Sequence, residues 1–124
     1  MELIIKKCAK CGAYVEVLND CSCEDCGLKC CGEEMKRVVP NSVDCSIEKH
    51  VPNVEICGNY IYVTVNHVME DEHYIEWIAM ASDKTIGKKF FKPGEEVKAI
   101  FPYVKGSKVY AYCNKHGLWE NEVK

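Results

Sequence analysis

The stretch Tyr60-Ile61-Tyr62-Val63-Thr64-Val65 predicts a β-strand, because its residues are β-branched or aromatic and it follows the turn signal Gly58-Asn59. Further segments of this kind recur at short intervals on its carboxyl side, over 73–81, 88–92, 97–104 and 108–113. No window sustains the apolar spacing of three to four residues that marks an amphipathic helix. Several short strands at regular spacing are typical of an all-β sandwich or barrel.

Cysteine and histidine divide the chain into two chemically different halves. Residues 1–31 contain seven of the ten cysteines, whereas none of the four histidines comes before His50. We place the boundary near Val39-Pro40, which predicts a metal domain over 1–39 and a β domain over 40–124. The first half has few apolar residues, and a unit of about 40 residues usually needs a staple such as a metal ion.

The composition limits the class of protein. The net charge of -3 argues against general nucleic-acid binding, and no apolar run approaches the length of a membrane span. The apolar run at the start, Leu3-Ile4-Ile5, is too short for the core of a signal peptide. We therefore expect a cytoplasmic protein with reduced thiols, and this favours metal ligation over disulfides as the use of its cysteines.

Four cysteines form the first candidate metal site. Cys8-x-x-Cys11 places two sulfurs on one tight turn, and Cys30-Cys31 supplies a second pair. Four thiolates around one ion are typical of structural zinc or of a single iron ion, and disulfides remain the third alternative. One such site needs only four sulfurs, so three cysteines remain: Cys21, Cys23 and Cys26. They are either exposed thiols on an insertion loop or metal ligands. As ligands, they would bind a second ion or displace a member of the first set.

A second candidate site combines imidazoles with a thiolate. Cys113-x-x-His116 closes a predicted strand, and Gly117 lets the loop turn back. A thiolate and an imidazole on one short loop can reach a common ion, and the histidines at 50, 67 and 73 could approach it from other loops. The residues by themselves indicate a mixed nitrogen and sulfur site.

The chain resembles the superoxide reductase family, and in particular its two-iron members, the desulfoferrodoxins. The resemblance is carried by Glu48-Lys49-His50-Val51-Pro52, by His67 and His73 with the trailing Tyr74-Ile75-Glu76-Trp77-Ile78, and by Cys113-Asn114-Lys115-His116-Gly117-Leu118-Trp119. The cysteines of the first candidate site, Cys8, Cys11, Cys30 and Cys31, match the desulforedoxin-like motif of these proteins. Two features depart from the family pattern: the insertion Cys21–Cys26, and Val68 where a proline is common.

The resemblance implies an immunoglobulin-like β domain after a small desulforedoxin-like domain. It implies a catalytic iron, cycling between Fe2+ and Fe3+, held by His50, His67, His73, His116 and Cys113, with His116 using Nδ1 and the other imidazoles Nε2. A second iron or a zinc ion would bind Cys8, Cys11, Cys30 and Cys31. Lys49 would attract the substrate anion, and Glu48 would bind the oxidised iron.

The implied activity is the one-electron reduction of superoxide to hydrogen peroxide. The implied partners are an electron donor such as rubredoxin and a second copy of the chain in a homodimer, without nucleic acid or membrane. Two rival interpretations exist: a non-enzymatic electron carrier or zinc-ribbon-like module that uses the amino-terminal cysteines, and an enzyme that dismutes superoxide. The first rival would not need four histidines with Cys113.

Overall fold

A computed structural model describes residues 2–21, 27–42 and 50–124 of the chain. These residues form β-strands and connections, and within them no helix is long and apolar enough to cross a membrane. The chain divides into two compact units, one of Leu3–Val39 and the other of Met1–Glu2 with Pro40–Lys124. Each unit contains its own sheets.

The first unit is built from short antiparallel strands. Its sheet has the order β2-β1-β5, and β3 pairs with β4 in a separate hairpin. The strands are β1 (Ile5–Lys7), β2 (Tyr14–Glu16), β3 (Lys29–Cys30), β4 (Glu33–Glu34) and β5 (Lys36–Arg37). The β3–β4 hairpin turns through Cys31 and Gly32, both with positive φ (53° and 75°), as a two-residue type I′ turn requires.

The second unit is a sandwich of two antiparallel sheets. One sheet has three strands in the order β10-β7-β6, and the other has four in the order β12-β11-β8-β9. The strands are β6 (Asn53–Cys57), β7 (Tyr60–Thr64), β8 (Ile75–Ala81), β9 (Ile86–Phe90), β10 (Lys98–Pro102), β11 (Lys108–Cys113) and β12 (Gly117–Glu122).

The core of the sandwich comes from the inward faces of both sheets. Alternate residues of β7 and β10 are buried, and these interleave with buried residues of the four-stranded sheet. The cluster comprises Ile61, Val63, Val65, Ile75, Ile78, Met80, Phe91, Val97, Ala99, Phe101, Val109, Ala111, Cys113 and Val123. Cys113 is the one member of this cluster that can also bind a metal.

The predicted all-β fold is confirmed. All five predicted strands are present. The strand over 108–113 has the predicted ends, and the ends of the other four shift, as where 97–104 shortens to Lys98–Pro102. The prediction missed β6 and β12, because polar residues such as Glu55 and Glu120 interrupt the apolar pattern there. Both strands lie at the edge of a sheet, where strand propensity is a weaker guide than in a central strand.

We predict that Ile78→Ala lowers the free energy of unfolding of the second unit by about 2–5 kcal/mol, the usual cost of emptying a core isoleucine site. Ile78 is fully buried (0% exposed) in the cluster. Both tryptophans, Trp77 and Trp119, lie in this unit, so urea unfolding followed by tryptophan fluorescence reports on it directly.

Ile100→Ala is the matched control, because Ile100 lies on β10 with 64% of its side chain exposed. We expect this change to stay within about 0.5 kcal/mol of the parent protein. Equal losses in the two variants would contradict the assignment of the core.

Candidate metal centres

Three connections of the sandwich carry the five predicted ligands of the second site. His50 lies just before β6, and the two histidines at 67 and 73 occupy the connection between β7 and β8. Cys113 ends β11, and His116 follows in the three-residue loop before β12. Gly117 has a φ of 79°, a value that favours glycine and closes this hairpin.

The four imidazoles are arranged as a square. Neighbouring rings have centroids 4.7 Å (His50–His67), 4.6 Å (His67–His73), 4.9 Å (His73–His116) and 4.9 Å (His116–His50) apart. The diagonal from His50 to His73 is longer, at 6.4 Å. Adjacent rings stand nearly at right angles, with interplanar angles of 73° to 88°. Each ring therefore presents an edge nitrogen to one common centre.

The distances between donor atoms suit one metal ion. His50 Nε2 lies 3.0 Å from His116 Nδ1 and 3.2 Å from His67 Nε2. Two nitrogens that bind one ion at about 2.1 Å and at a right angle would be about 3.0 Å apart. The Sγ of Cys113 lies 3.6 Å from His67 Nε2 and 3.9 Å from His116 Nδ1, and all five donor atoms lie within 4.8 Å of one another.

The protonation of the imidazoles also suits metal binding. His67 Nδ1–H donates to the carbonyl oxygen of Val68 at 2.5 Å, and this leaves the lone pair on Nε2, which faces the centre. Burial lowers the pKa of both His67 and His73 and so favours the neutral form that a metal ligand must have.

A buried nitrogen without a partner gives independent support for a metal. His73 Nε2 is buried and has no hydrogen-bond partner within the described part of the chain. Such atoms are rare in folded proteins, because the lost contact with water is uncompensated. A metal ion at the centre of the square would take this lone pair.

Trp119 is a site residue whose role the sequence analysis did not predict. Its indole stacks on His50, with ring centroids 4.9 Å apart and an angle of 28° between the planes. It is buried on β12 and therefore fixes the plane of the imidazole. The sequence did contain a signal for this role, because Trp119 belongs to the motif Cys113–Trp119 that carries the family resemblance.

The four predicted cysteines of the first unit also converge. The Sγ of Cys11 lies 3.6 Å from that of Cys30, which lies 3.9 Å from the Sγ of Cys31. Four sulfurs that bind a tetrahedral ion at about 2.3 Å would be about 3.8 Å apart. Cys8 completes the group, and all four sulfurs lie within 4.8 Å of one another. Gly12, which directly follows Cys11, has a positive φ of 79°, a value that favours glycine.

Electrostatics in this cluster favour a cation. Main-chain N–H groups, first that of Cys11, lower the pKa of the Cys8 thiol to about 7. Hydrogen bonds with the neighbouring sulfurs, first with Cys11, raise the pKa of Cys30 to about 12. Four thiolates would therefore repel one another at neutral pH unless a metal ion neutralised them.

The other predicted residues lie outside both clusters or outside the described residues. Cys21 is exposed and Cys57 is half-buried, and none of the seven described cysteines forms a disulfide. Cys21 does not join the four-sulfur group. The remaining residues fall outside the described ranges: Glu48, Lys49, Cys23, Cys26 and Cys45.

Comparison with known proteins identifies the family. A family model described as Desulfoferrodoxin matches residues 42–122. The chain belongs to the desulfoferrodoxin family. It is 45% identical over 124 residues to a desulfoferrodoxin from Nitratidesulfovibrio vulgaris, and the match covers 96% of this chain and 95% of that protein. Its histidine and cysteine site and its four-cysteine site are consistent with the iron sites that the family resemblance implies.

Other relatives of the chain carry the name superoxide reductase, which denotes an oxidoreductase. One from Thermococcus kodakarensis is 38% identical over 99 residues, with 61% of this chain and 86% of that protein covered. The crystal structure of the superoxide reductase from Treponema pallidum matches with a TM-score of 0.72 and 26% identity, over 98% of this chain and all of the other (100%).

We predict that Cys113→Ser abolishes the thiolate-to-iron charge-transfer band of the histidine and cysteine site, because a hydroxyl group does not replace the thiolate as a donor. Iron in the four-cysteine site would have charge-transfer bands of its own, and we expect these to stay unchanged. Visible absorption spectroscopy, with the iron content measured on the same sample, checks this.

Cys57→Ser is the matched control, since Cys57 lies on β6 outside both clusters. We expect its spectrum to equal that of the parent protein. A band of the histidine and cysteine site that persists in Cys113→Ser, or disappears in Cys57→Ser, would show that the sulfur ligand was assigned incorrectly.

Proposed function

We propose that this chain is a superoxide reductase that converts superoxide to hydrogen peroxide and so protects the cell from oxidative stress. The observation that carries the proposal is the square of four imidazoles beside the Cys113 thiol, with the buried Nε2 of His73 left without a partner. The reaction consumes one superoxide, one electron and two protons, and yields one hydrogen peroxide. Iron bound at His50, His67, His73, His116 and Cys113 would supply the electron.

Exposure of the site supports a small substrate. Whereas His50 is buried (4% exposed), the other three histidines are partly exposed, and Val68 beside His67 is 46% exposed. One side of the square is therefore accessible from solvent. A diatomic anion can enter such an opening, and no deep binding pocket is required.

Acidic residues lie near the histidines, so a nearby lysine would help to attract the superoxide anion. Glu70, Asp71 and Glu72 lie between two of the histidines, and the whole chain has a net charge of -3, so superoxide is repelled at long range. We propose that Lys49, which directly precedes His50, offsets this repulsion and stabilises the developing negative charge of the product.

The remaining assignments follow the family resemblance. We propose that Glu48 binds the oxidised iron after product leaves, and that the electron comes from rubredoxin or a similar one-electron carrier. We propose that the four-cysteine unit, residues 1–39, is a desulforedoxin-like domain whose iron or zinc ion is mainly structural, and that 40–124 is the immunoglobulin-like catalytic domain. A homodimer and a cytoplasmic location complete the proposal, and cysteines that serve as metal ligands suit a reducing compartment.

The yield of peroxide tests the reaction itself. With an excess of an external one-electron reductant and a calibrated pulse of superoxide, we expect one hydrogen peroxide for every superoxide consumed. Dismutation would give one for every two, because half of the superoxide is then oxidised to oxygen. Cys113→Ser protein is the background control. Superoxide also dismutes without an enzyme and then gives the same one-for-two yield, so a yield no higher than that of the control would refute the proposal. A one-for-two yield that is reached faster than in the control would replace reduction by dismutation.

We predict that Lys49→Ala slows the second-order reaction with superoxide by about fivefold at low salt, because a unit charge at about 4 Å contributes about 1 kcal/mol in water. The dependence of the rate on ionic strength should flatten as well. Pulse radiolysis over a range of salt concentrations measures both.

Lys105→Ala is the matched control for this change. It removes the same charge from an exposed position in the connection before β11, at the end of that strand opposite Cys113. We expect its rate to stay near that of the parent protein. Equal rates for Lys49→Ala and Lys105→Ala at low salt would contradict a local role for Lys49.

A further inference from the structure

The pairing of β8 with β11 changes where the chain approaches the metal site. The two strands pair regularly from Lys108↔Ala81 to Tyr112↔Trp77, and the register then shifts so that Cys113 lies opposite Ile75. Beyond the shift, Asn114 N donates to Tyr74 O at 3.2 Å. In a regular antiparallel pair, Tyr74 N would donate back to the main-chain oxygen of Asn114.

The return bond goes to a side chain instead. Tyr74 N donates to Oδ1 of Asn114 at 2.9 Å. The side-chain carbonyl of Asn114 thus replaces its main-chain carbonyl as the acceptor, and the strand pairing extends by one residue. The main-chain carbonyl of Asn114 is not needed for this pairing, so the chain can leave the sheet directly after Asn114. The chain can then turn within three residues to Gly117, and this turn brings His116 to the site.

The other half of the same amide makes a second contact. Nδ2 of Asn114 donates to the main-chain oxygen of Glu72 at 2.9 Å. Glu72 and Tyr74 are the two residues that flank His73. One side chain therefore binds the main chain on both sides of His73, from a position adjacent to Cys113 and two residues before His116.

His67 and His50 are each oriented by a contact that does not involve Asn114. His67 is oriented by its own bond to Val68 O, and His50 by stacking on Trp119. The main chain of His73 pairs with Glu70, through N–H···O bonds of 3.0 and 3.1 Å, and this connects it only to its own loop. The contacts of Asn114 connect that loop to the segment that carries Cys113 and His116.

We propose that Asn114 is a positioning residue of the metal centre, whose side-chain amide fixes the distance between His73 and the Cys113–His116 loop. The inference rests on the metal site of the proposed function, and it deepens that proposal by explaining how ligands on separate connections keep their spacing. Residues that orient metal ligands typically contribute 10- to 100-fold in metal affinity.

Release of metal to a chelator tests this. We expect Asn114→Ala to release the ion of the histidine and cysteine site about 10- to 100-fold faster than the parent protein. The four-cysteine site of the same molecules is an internal reference and should be unaffected, because it shares no ligand with the other site. The thiolate charge-transfer band should also shift, since the orientation of Cys113 is no longer fixed.

Ser107→Ala is the matched control for a general loss of stability. The buried Ser107 hydroxyl donates to Val104 O at 2.7 Å, near the end of β11 opposite Cys113. We expect this variant to keep the release rate and the band of the parent protein. Release from Asn114→Ala at the rate of Ser107→Ala, with an unchanged band, would overturn the proposal.

Amide hydrogen exchange of the zinc-loaded protein adds a local measurement. The Tyr74 N–H should exchange faster in Asn114→Ala, and equal protection would overturn the proposed contact. If Asn114→Ala does not fold, Asn114→Ser replaces it, because serine keeps a polar side chain suited to a turn but is too short to bind Tyr74 and Glu72 together. None of these measurements uses superoxide, so the proposed function and the role of Asn114 can fail separately.

Discussion

Imidazole nitrogens that face one another at 3.0 to 3.2 Å, as those of His50, His67 and His116 do, have a free-energy cost unless a cation takes their lone pairs. Hydrogen bonding cannot satisfy the arrangement, because His67 already uses its proton on Val68 and His73 Nε2 has no partner within the described residues. The convergence of nitrogens is therefore the constraint on which the organisation of the second unit depends. The sandwich holds three connections close enough together for the five donor atoms to lie within 4.8 Å of one another.

The two units bring their metal ligands together with different amounts of supporting structure. In the first unit, the turn after Cys8 and the type I′ turn at Cys31-Gly32 bring four sulfurs together with only short strands for support. In the second, a core of buried residues from two sheets supports ligands that are up to 66 positions apart, as between His50 and His116. A small unit that buries little apolar surface depends on its metal for stability, whereas the sandwich can use its metal for chemistry.

Much of this arrangement could be predicted from the sequence, and the rest could not for identifiable reasons. The β-branched and aromatic residues of Tyr60–Thr64 and the spacing of Cys113-x-x-His116 are local signals, and the strand and the mixed site were predicted from them. The contact of Asn114 with Glu72 and Tyr74 joins residues about 40 positions apart, and no local pattern encodes it. Trp119 looks like an ordinary core residue in the sequence, and only the structure shows that it stacks on His50.

The direction of the Cys113 sulfur follows from the core itself. Val109, Ala111 and Cys113 alternate along β11 and belong to the same buried cluster, so their side chains lie on the inward face of the sheet. A slip of one residue in the pairing of this strand would move Val109 and Ala111 out of this cluster and turn the sulfur to the opposite face, where Tyr110 and Tyr112 are now buried. The hydrophobic free energy that fixes the register therefore also fixes the thiol ligand. The shift after Tyr112 occurs only beyond that anchored region, where Asn114 takes over the pairing and the chain turns towards His116.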